Sequence, residues 1–156
     1  MRLGTRAIAW LTLAVAACAS SGVLDPSDLE GYWVLESFEV AGVDHTVEVP
    51  VNTVRIPWIS LGDALEGNGG CNDFTGYQQP PYQLDGGRLI PGEILFSAVA
   101  CLYAGSESVM AAEFAMQEAL WSSPEGIVVA VEDSEMVWDT GDSRLVFSKS
   151  DGPPDA

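Results

Sequence analysis

Downstream of residue 30, the chain alternates hydrophobic and polar residues in short segments, a pattern typical of β-strands with one buried face. The predicted strands cover residues 32–40, 46–49, 53–61, 74–77, 88–90, 93–96, 127–131, 135–138 and 144–147. Turn-forming residues separate several of them, as in Asp85-Gly86-Gly87, Glu132-Asp133-Ser134 and Asp139-Thr140-Gly141-Asp142. Such turns are typical of hairpins, so the pattern predicts a largely antiparallel sheet.

Residues 106–121 have helical spacing instead, and the pattern predicts a single helix there. Its predicted apolar face consists of Met110, Phe114, Met116, Leu120 and Trp121. A helix that lies on a sheet buries its apolar face, so we expect these side chains in the core. We also expect burial of the tryptophans in predicted strands, which are Trp33, Trp58 and Trp138.

The N-terminus has the pattern of an export signal, because Arg2 and Arg6 precede an apolar run over residues 7–17. The run is shorter than the ~20 residues of a membrane span. It ends in Val15-Ala16-Ala17-Cys18, which resembles a bacterial lipobox. We therefore predict cleavage before Cys18, lipid on its sulfur, and an exported domain held at the cell membrane. Cleavage after Ala19 with secretion of a soluble protein is the alternative.

The length of the chain suits one globular domain with a single core. We divide it into a signal peptide (1–17), a lipidated cysteine with a short tether (18–28), the domain (29–148) and a disordered tail (149–156) that contains Pro153-Pro154.

The formal net charge is -17, and removal of the basic signal peptide makes the remainder more acidic still. The basic residues after Cys18 are Arg55, Arg88, Arg144 and Lys149. This balance excludes nucleic acid as a partner, because a phosphate backbone would be repelled. The predicted partners are membrane lipid, through acylated Cys18, and an unidentified envelope protein or small ligand.

Two cysteines remain once Cys18 is assigned to lipid, namely Cys71 and Cys101. In an exported chain, an even number of structural cysteines is expected to pair, so we predict a disulfide between them. Two buried free thiols are the alternative.

The segment Gly67-Asn68-Gly69-Gly70-Cys71-Asn72-Asp73-Phe74-Thr75-Gly76-Tyr77 carries the most specific motif. It resembles the Gly-Cys-Asn-x-Phe-x-Gly signature of the META domain (HslJ-like) family of bacterial lipoproteins, matched here by Gly70, Cys71, Asn72, Phe74 and Gly76. Residues 29–35 resemble the family's opening Leu-x-Gly-x-Trp-x-Leu. Residues 97–101 resemble its Thr-x-Met-Ala-Cys, with Ser97 and Val99 in place of the usual Thr and Met.

The resemblance implies an α+β, mainly β domain, in which a curved, barrel-like antiparallel sheet packs on a single α-helix. It implies no defined catalytic activity, and family members are linked to envelope stress and antibiotic tolerance. The signature also has a structural explanation. Glycines before Cys71 permit positive φ in a tight turn, and Asn72 can bond nearby backbone groups. A ligand contact by Asn72 or Asp73 is the functional alternative.

No catalytic motif stands out. His45 is the only histidine, and no Gly-x-Ser-x-Gly elbow occurs. Asp139-Thr140-Gly141 matches the aspartic-protease tripeptide once, where the chemistry needs two carboxylates, so we interpret it as a hairpin turn. We predict no metal and no cofactor. The leading hypothesis is a non-catalytic, lipid-anchored envelope protein with a binding or stress-related role. The alternative is an envelope enzyme or enzyme inhibitor with a site in the barrel cleft, near Asp73 and Glu66.

Overall fold

The computed structural model describes residues 24–48, 55–97 and 107–154. Within these ranges the helices are α1 (Pro26–Leu29) and α2 (Glu107–Ser122). The strands are β1 (Gly31–Val40), β2 (Val43–Thr46), β3 (Trp58–Leu61), β4 (Leu65–Asn68), β5 (Asp73–Gly76), β6 (Tyr82–Asp85), β7 (Arg88–Pro91), β8 (Ile94–Phe96), β9 (Ile127–Glu132), β10 (Glu135–Asp139) and β11 (Ser143–Ser150). Neither helix has the length and apolar content that a membrane crossing requires.

All eleven strands belong to one antiparallel sheet, which curls into a half-barrel beside α2. The order is β6-β7-β9-β10-β11-β1-β3-β4-β5-β8, with β2 paired to β1. The predicted mainly β class with an antiparallel sheet and a packed helix is therefore confirmed.

The first strand, β1, organises the sheet because it pairs with three others. Along one edge it pairs with β11, and along the other it pairs first with β3 and then with β2. The register with β11 shifts between Leu35 and Ser37, which marks a β-bulge at Glu36. A bulge bends a strand and increases its twist, so this position helps the sheet to curl. Trp33, Leu35 and Phe38 of β1 are buried in the core.

Two strands escaped prediction, β4 and β6, because their sequences contain residues that are rare in strands. In β4, Gly67 is needed for close packing, since a Cβ there would lie 2.5 Å from Cζ of Phe74. The predicted strand at 46–49 is misplaced, because β2 begins at Val43 and ends at Thr46. Of the predicted strand 53–61, the structure describes residues 55–61, and within these the strand begins at Trp58.

The short helix α1 lies where we expected the end of the tether. Asp25 caps it through a capping box with Asp28, and Pro26 occupies its first position. Hydrogen bonds from the Ser27 hydroxyl and N–H hold the pKa of the Asp25 carboxyl below its usual value. Leu29 is fully buried, so the chain joins the core at α1. At the other end, β11 continues to Ser150 and takes in the first residues of the predicted tail.

The predicted core face of α2 is wrong at three positions. Met116 and Leu120 are buried, but Met110, Phe114 and Trp121 are 55%, 63% and 60% exposed. The buried face is built instead from Val109, Ala112, Ala115, Met116, Ala119 and Leu120. Small alanine side chains let the helix approach β1 and β11 closely, and the larger apolar residues are left on the outer face.

The hairpin turns and two of the tryptophans follow the predictions. Asp139 Oδ1 accepts a hydrogen bond of 2.7 Å from the Gly141 N–H, so the Asp-Thr-Gly tripeptide forms the turn between β10 and β11. Trp33 and Trp138 are fully buried, while Trp58 is half-buried.

Candidate functional site

The signature segment forms the connection between β4 and β5. The Gly69 N–H donates to the Asn72 carbonyl at 2.9 Å and closes the turn. Asn68, which is fully buried, supports it from inside. Its Oδ1 accepts from the Gly70 N–H at 2.7 Å, and its Nδ2 donates to Asp73 Oδ1 at 2.8 Å. The turn is therefore held by its own polar groups at both ends.

The buried carboxylate of Glu113, on α2, binds this turn from the helix side. Its Oε2 accepts hydrogen bonds from the backbone N–H groups of Cys71 at 2.8 Å and Asn72 at 3.0 Å. Its Oε1 accepts from Nδ2 of Asn72 at 2.5 Å and from Nε2 of Gln117 at 3.2 Å. Glu113 is only 9% exposed. A carboxylate this buried is stable only when donors surround it, and the signature turn supplies most of them.

The two central glycines of the signature allow α2 to approach the turn. A Cβ at Gly69 would lie 2.7 Å from Cγ of Glu113. Gly70 has φ +114°, and a Cβ there would collide with a methyl group of Val109. The predicted positive φ is confirmed at Gly70. At Gly69, a glycine is needed because α2 packs too close to the turn to leave room for a side chain.

On the strand side, Asp73 joins the turn to the end of β8. The Asp73 N–H donates to the Ser97 hydroxyl at 3.0 Å, and the Ser97 N–H donates to the Asp73 carbonyl at 2.8 Å. The Asp73 carboxylate also forms an ion pair with Arg55 at 2.9 Å. Ser97 begins the third family-like segment, so two segments that are distant in sequence meet here.

The other signature residues serve packing. Phe74 is buried and lies 5.3 Å from the ring of Phe96, measured between centroids. Gly76 lies next to Ile94, where a Cβ would be in ordinary van der Waals contact with Cδ1, at 3.4 Å. Cys71 is half-buried at the edge of the turn.

Two of the predicted site residues lie outside the described residues. They are Cys18 and Cys101. Lipid attachment to Cys18 and the disulfide between Cys71 and Cys101 therefore stay predictions.

Glu113 is the main residue that sequence reasoning missed. A signal was present, because Glu113 shares its helix face with Val109, Met116 and Leu120, all of which are apolar. A lone acidic residue on the buried face of a helix requires a donor partner. Which donors it meets depends on the fold, since they lie about forty residues earlier in the chain.

The structure does bring Glu66 and Asp73 together. Both line a surface cavity of about 490 Å³, with Trp58, Phe96 and Leu95 among its apolar walls. His45 lies elsewhere, stacked on Phe38 with ring centroids 4.8 Å apart. Among the described residues, no three His, Cys, Asp or Glu side chains gather in a way that could hold a metal ion.

Comparison with known proteins gives one family match and two matches of fold. A family model described as the META domain matches residues 27–152. A protein known from its NMR structure is 24% identical, with a TM-score of 0.61 over 82% of this chain and 97% of its own. An NMR structure of a protein from Burkholderia xenovorans is 21% identical, with a TM-score of 0.59 over 96% of this chain and 97% of its own. These two likenesses show the fold. No curated protein matches the chain significantly.

The contact between Glu113 and the turn predicts a large loss of stability when the carboxylate is removed. Glu113→Ala leaves the N–H groups of Cys71 and Asn72 without their acceptor, and we expect it to cost about 2–4 kcal/mol. Urea denaturation followed by tryptophan fluorescence measures this. Glu118→Ala, on the exposed face of the same helix, is the matched control and should change stability by less than about 0.5 kcal/mol. Equal effects of the two substitutions would contradict the assigned role.

Substitution of Gly69 separately tests how closely α2 packs against the β4–β5 turn. Gly69→Ala forces a methyl group against Glu113 and should destabilise the domain by about 1–3 kcal/mol. Gly152→Ala is the control, because a Cβ there meets no heavy atom within 4 Å. The two variants are compared by thermal unfolding. If both unfold at the wild-type temperature, the turn is packed less tightly against α2 than described.

Proposed function

Because this chain belongs to the META domain family, we propose that it is a non-catalytic binding protein of the bacterial cell envelope, anchored by lipid on Cys18. The observation that carries the proposal is the use of the signature's polar groups. Cys71 and Asn72 direct their N–H groups at Glu113, and Asp73 is engaged by Asn68 and Arg55. The polar groups of the signature therefore stabilise the fold, and the contacts with a partner would be made by the exposed surface of the domain.

The anchoring part of the proposal is supported by the sequence of the N-terminus. Basic residues, an apolar run and a small-residue triplet precede Cys18 in the order that export and lipid attachment require. Only a short stretch of sequence separates Cys18 from Leu29, which is the first fully buried residue in the described part of the chain, so an anchor on Cys18 would hold the domain close to the bilayer. Two or more acyl chains make such an anchor stable.

Intact mass spectrometry of the membrane-extracted protein tests the anchor. We expect a chain that begins at Cys18 and carries the added mass of a diacylglyceryl group and further acylation. Cys18→Ala should retain residues 1–17 and lack the lipid. A protein recovered from the medium that begins after Cys18 and carries no added mass would establish secretion instead.

The second candidate function is an envelope enzyme or enzyme inhibitor. The cavity shared by Glu66 and Asp73 favours it, because two carboxylates at one apolar opening are a common arrangement for acid–base chemistry. The engagement of Asp73 by Arg55 and Asn68 favours the binding role.

An activity screen on the purified full chain distinguishes the two candidates. We expect no turnover of peptidoglycan or ester substrates and no inhibition of added envelope hydrolases. If an activity is found, Asp73→Asn and Glu66→Gln must each reduce it at least tenfold, while Glu125→Gln, outside this cavity, must not. That result would replace the binding role with the enzymatic one.

A further inference from the structure

Most of the exposed large apolar side chains among the described residues fall into two groups that share Trp121, one along α2 and one lining a cavity beside β8. Met110, Phe114 and Trp121 follow one another along the outer face of α2, because positions four and seven residues apart lie on the same side of a helix. Leu95 on β8 and Tyr77 after β5 are each 56% exposed. We call these residues together the α2–β8 surface. Patches of this kind are uncommon on proteins without partners.

The α2–β8 surface is structured, since its central residue is held in place. The Trp121 ring packs edge-on against Phe96, with centroids 4.5 Å apart. Its Nε1 donates to the Ile94 carbonyl at 3.4 Å. The ring is nevertheless 60% exposed. A fixed, exposed indole offers contact area to a partner at little cost in conformational entropy.

Two cavities meet at this surface. The first, of about 440 Å³, is lined by Tyr77, Leu95 and Trp121. The second is the cavity of about 490 Å³ that contains Glu66, and Leu95 lines it as well. Leu95 therefore stands between two depressions, an arrangement that suits an extended chain carrying several apolar side chains.

The charges around the α2–β8 surface are acidic. Glu93 lines the first cavity, where its carboxylate accepts a hydrogen bond from the Tyr77 hydroxyl. Glu66 and Asp73 line the second, and because Arg55 pairs with Asp73, Glu66 is the carboxylate there that a cationic partner would meet. Among the described residues, no lysine or arginine lines either cavity. Because the whole chain has a net charge of -17, the two cavities attract cations and repel anions.

From this combination we infer that the α2–β8 surface binds an amphipathic, positively charged peptide segment of a partner. Apolar side chains of the peptide seat against Leu95, Trp121 and Phe114, and its lysines or arginines lie against Glu93 and Glu66. The exposed rings of Trp121 and Tyr77 add cation–π attraction. A second copy of this chain carries the same negative charge and is repelled, as is a surface of anionic lipid. The inference rests on the binding role proposed above and names its partner class.

Fluorescence anisotropy of a labelled peptide tests the inference on the full chain in nonionic detergent. The probe is a short synthetic peptide of alternating leucine and lysine, and the comparison peptide has glutamate in place of lysine. We expect the lysine peptide to bind and the glutamate peptide not to bind. The affinity for the lysine peptide should fall as the salt concentration is raised. Leu95→Ser should weaken it about fivefold or more.

Val43→Ser is the matched control, because Val43 is 55% exposed but lies on β2, away from this surface. It should leave peptide affinity unchanged. For charge, Glu93→Gln should weaken binding and Glu132→Gln, on β9, should not. Both apolar substitutions are at exposed positions, and their urea midpoints confirm that the domain still folds.

Three outcomes overturn the inference: equal binding of the two peptides, equal effects of Leu95→Ser and Val43→Ser, or no binding of the lysine peptide. A peptide that does not bind would not contradict the proposed lipid anchor, because intact mass spectrometry tests for lipid on Cys18 independently.

Discussion

The buried carboxylate of Glu113 is the contact on which the signature region depends. Removing a carboxylate from water is costly, and the cost is offset here by hydrogen bonds from the backbone N–H groups of Cys71 and Asn72, which lie in a partly buried turn. The carboxylate and the two N–H groups therefore stabilise each other. These hydrogen bonds set the distance between α2 and the β4–β5 turn, and that distance leaves no room for a side chain at Gly69. The packing of α2 on the turn thus accounts for Gly69, Gly70, the backbone of Cys71 and the side chain of Asn72.

The same close contact shapes the rest of α2. The sheet is open, with β6 and β8 at its ends, and the helix lies against β1 and β11 through alanines and a few larger residues. Because the inner face is narrow and already contains Glu113, the bulky apolar residues Met110, Phe114 and Trp121 lie outside. Trp121 then reaches the edge of β8, where its indole N–H binds the Ile94 carbonyl. The exposed apolar surface is therefore a consequence of how the helix packs.

The sequence predicts the strands best where one face of the strand is buried and the other is exposed to solvent. In β10, Met136 and Trp138 are buried, Val137 between them is half-buried, and Glu135 and Asp139 at the ends are exposed, so the inward and outward positions alternate. In β4 the alternation fails, because Gly67 and Asn68 are buried for reasons of contact that no periodicity records. The face of α2 was misjudged because apolar residues occupy both sides of it, so hydrophobicity alone does not select one. Glu113 shows the remaining limit, since its partners are close in space and distant in the chain.

For the binding role proposed above, the difference between the signature turn and the exposed surface indicates which positions would determine specificity. The signature turn has its polar groups engaged by Glu113, Asn68 and Ser97, so changing it disturbs the fold before it changes any contact with a partner. The outer face of α2 and the exposed side of β8 carry no such constraint, because Phe114 and Leu95 project into solvent. A chain can therefore keep the turn intact and change its partner by substitutions at these exposed positions. In this chain the residues found there are apolar beside carboxylates, and that chemistry favours a cationic partner.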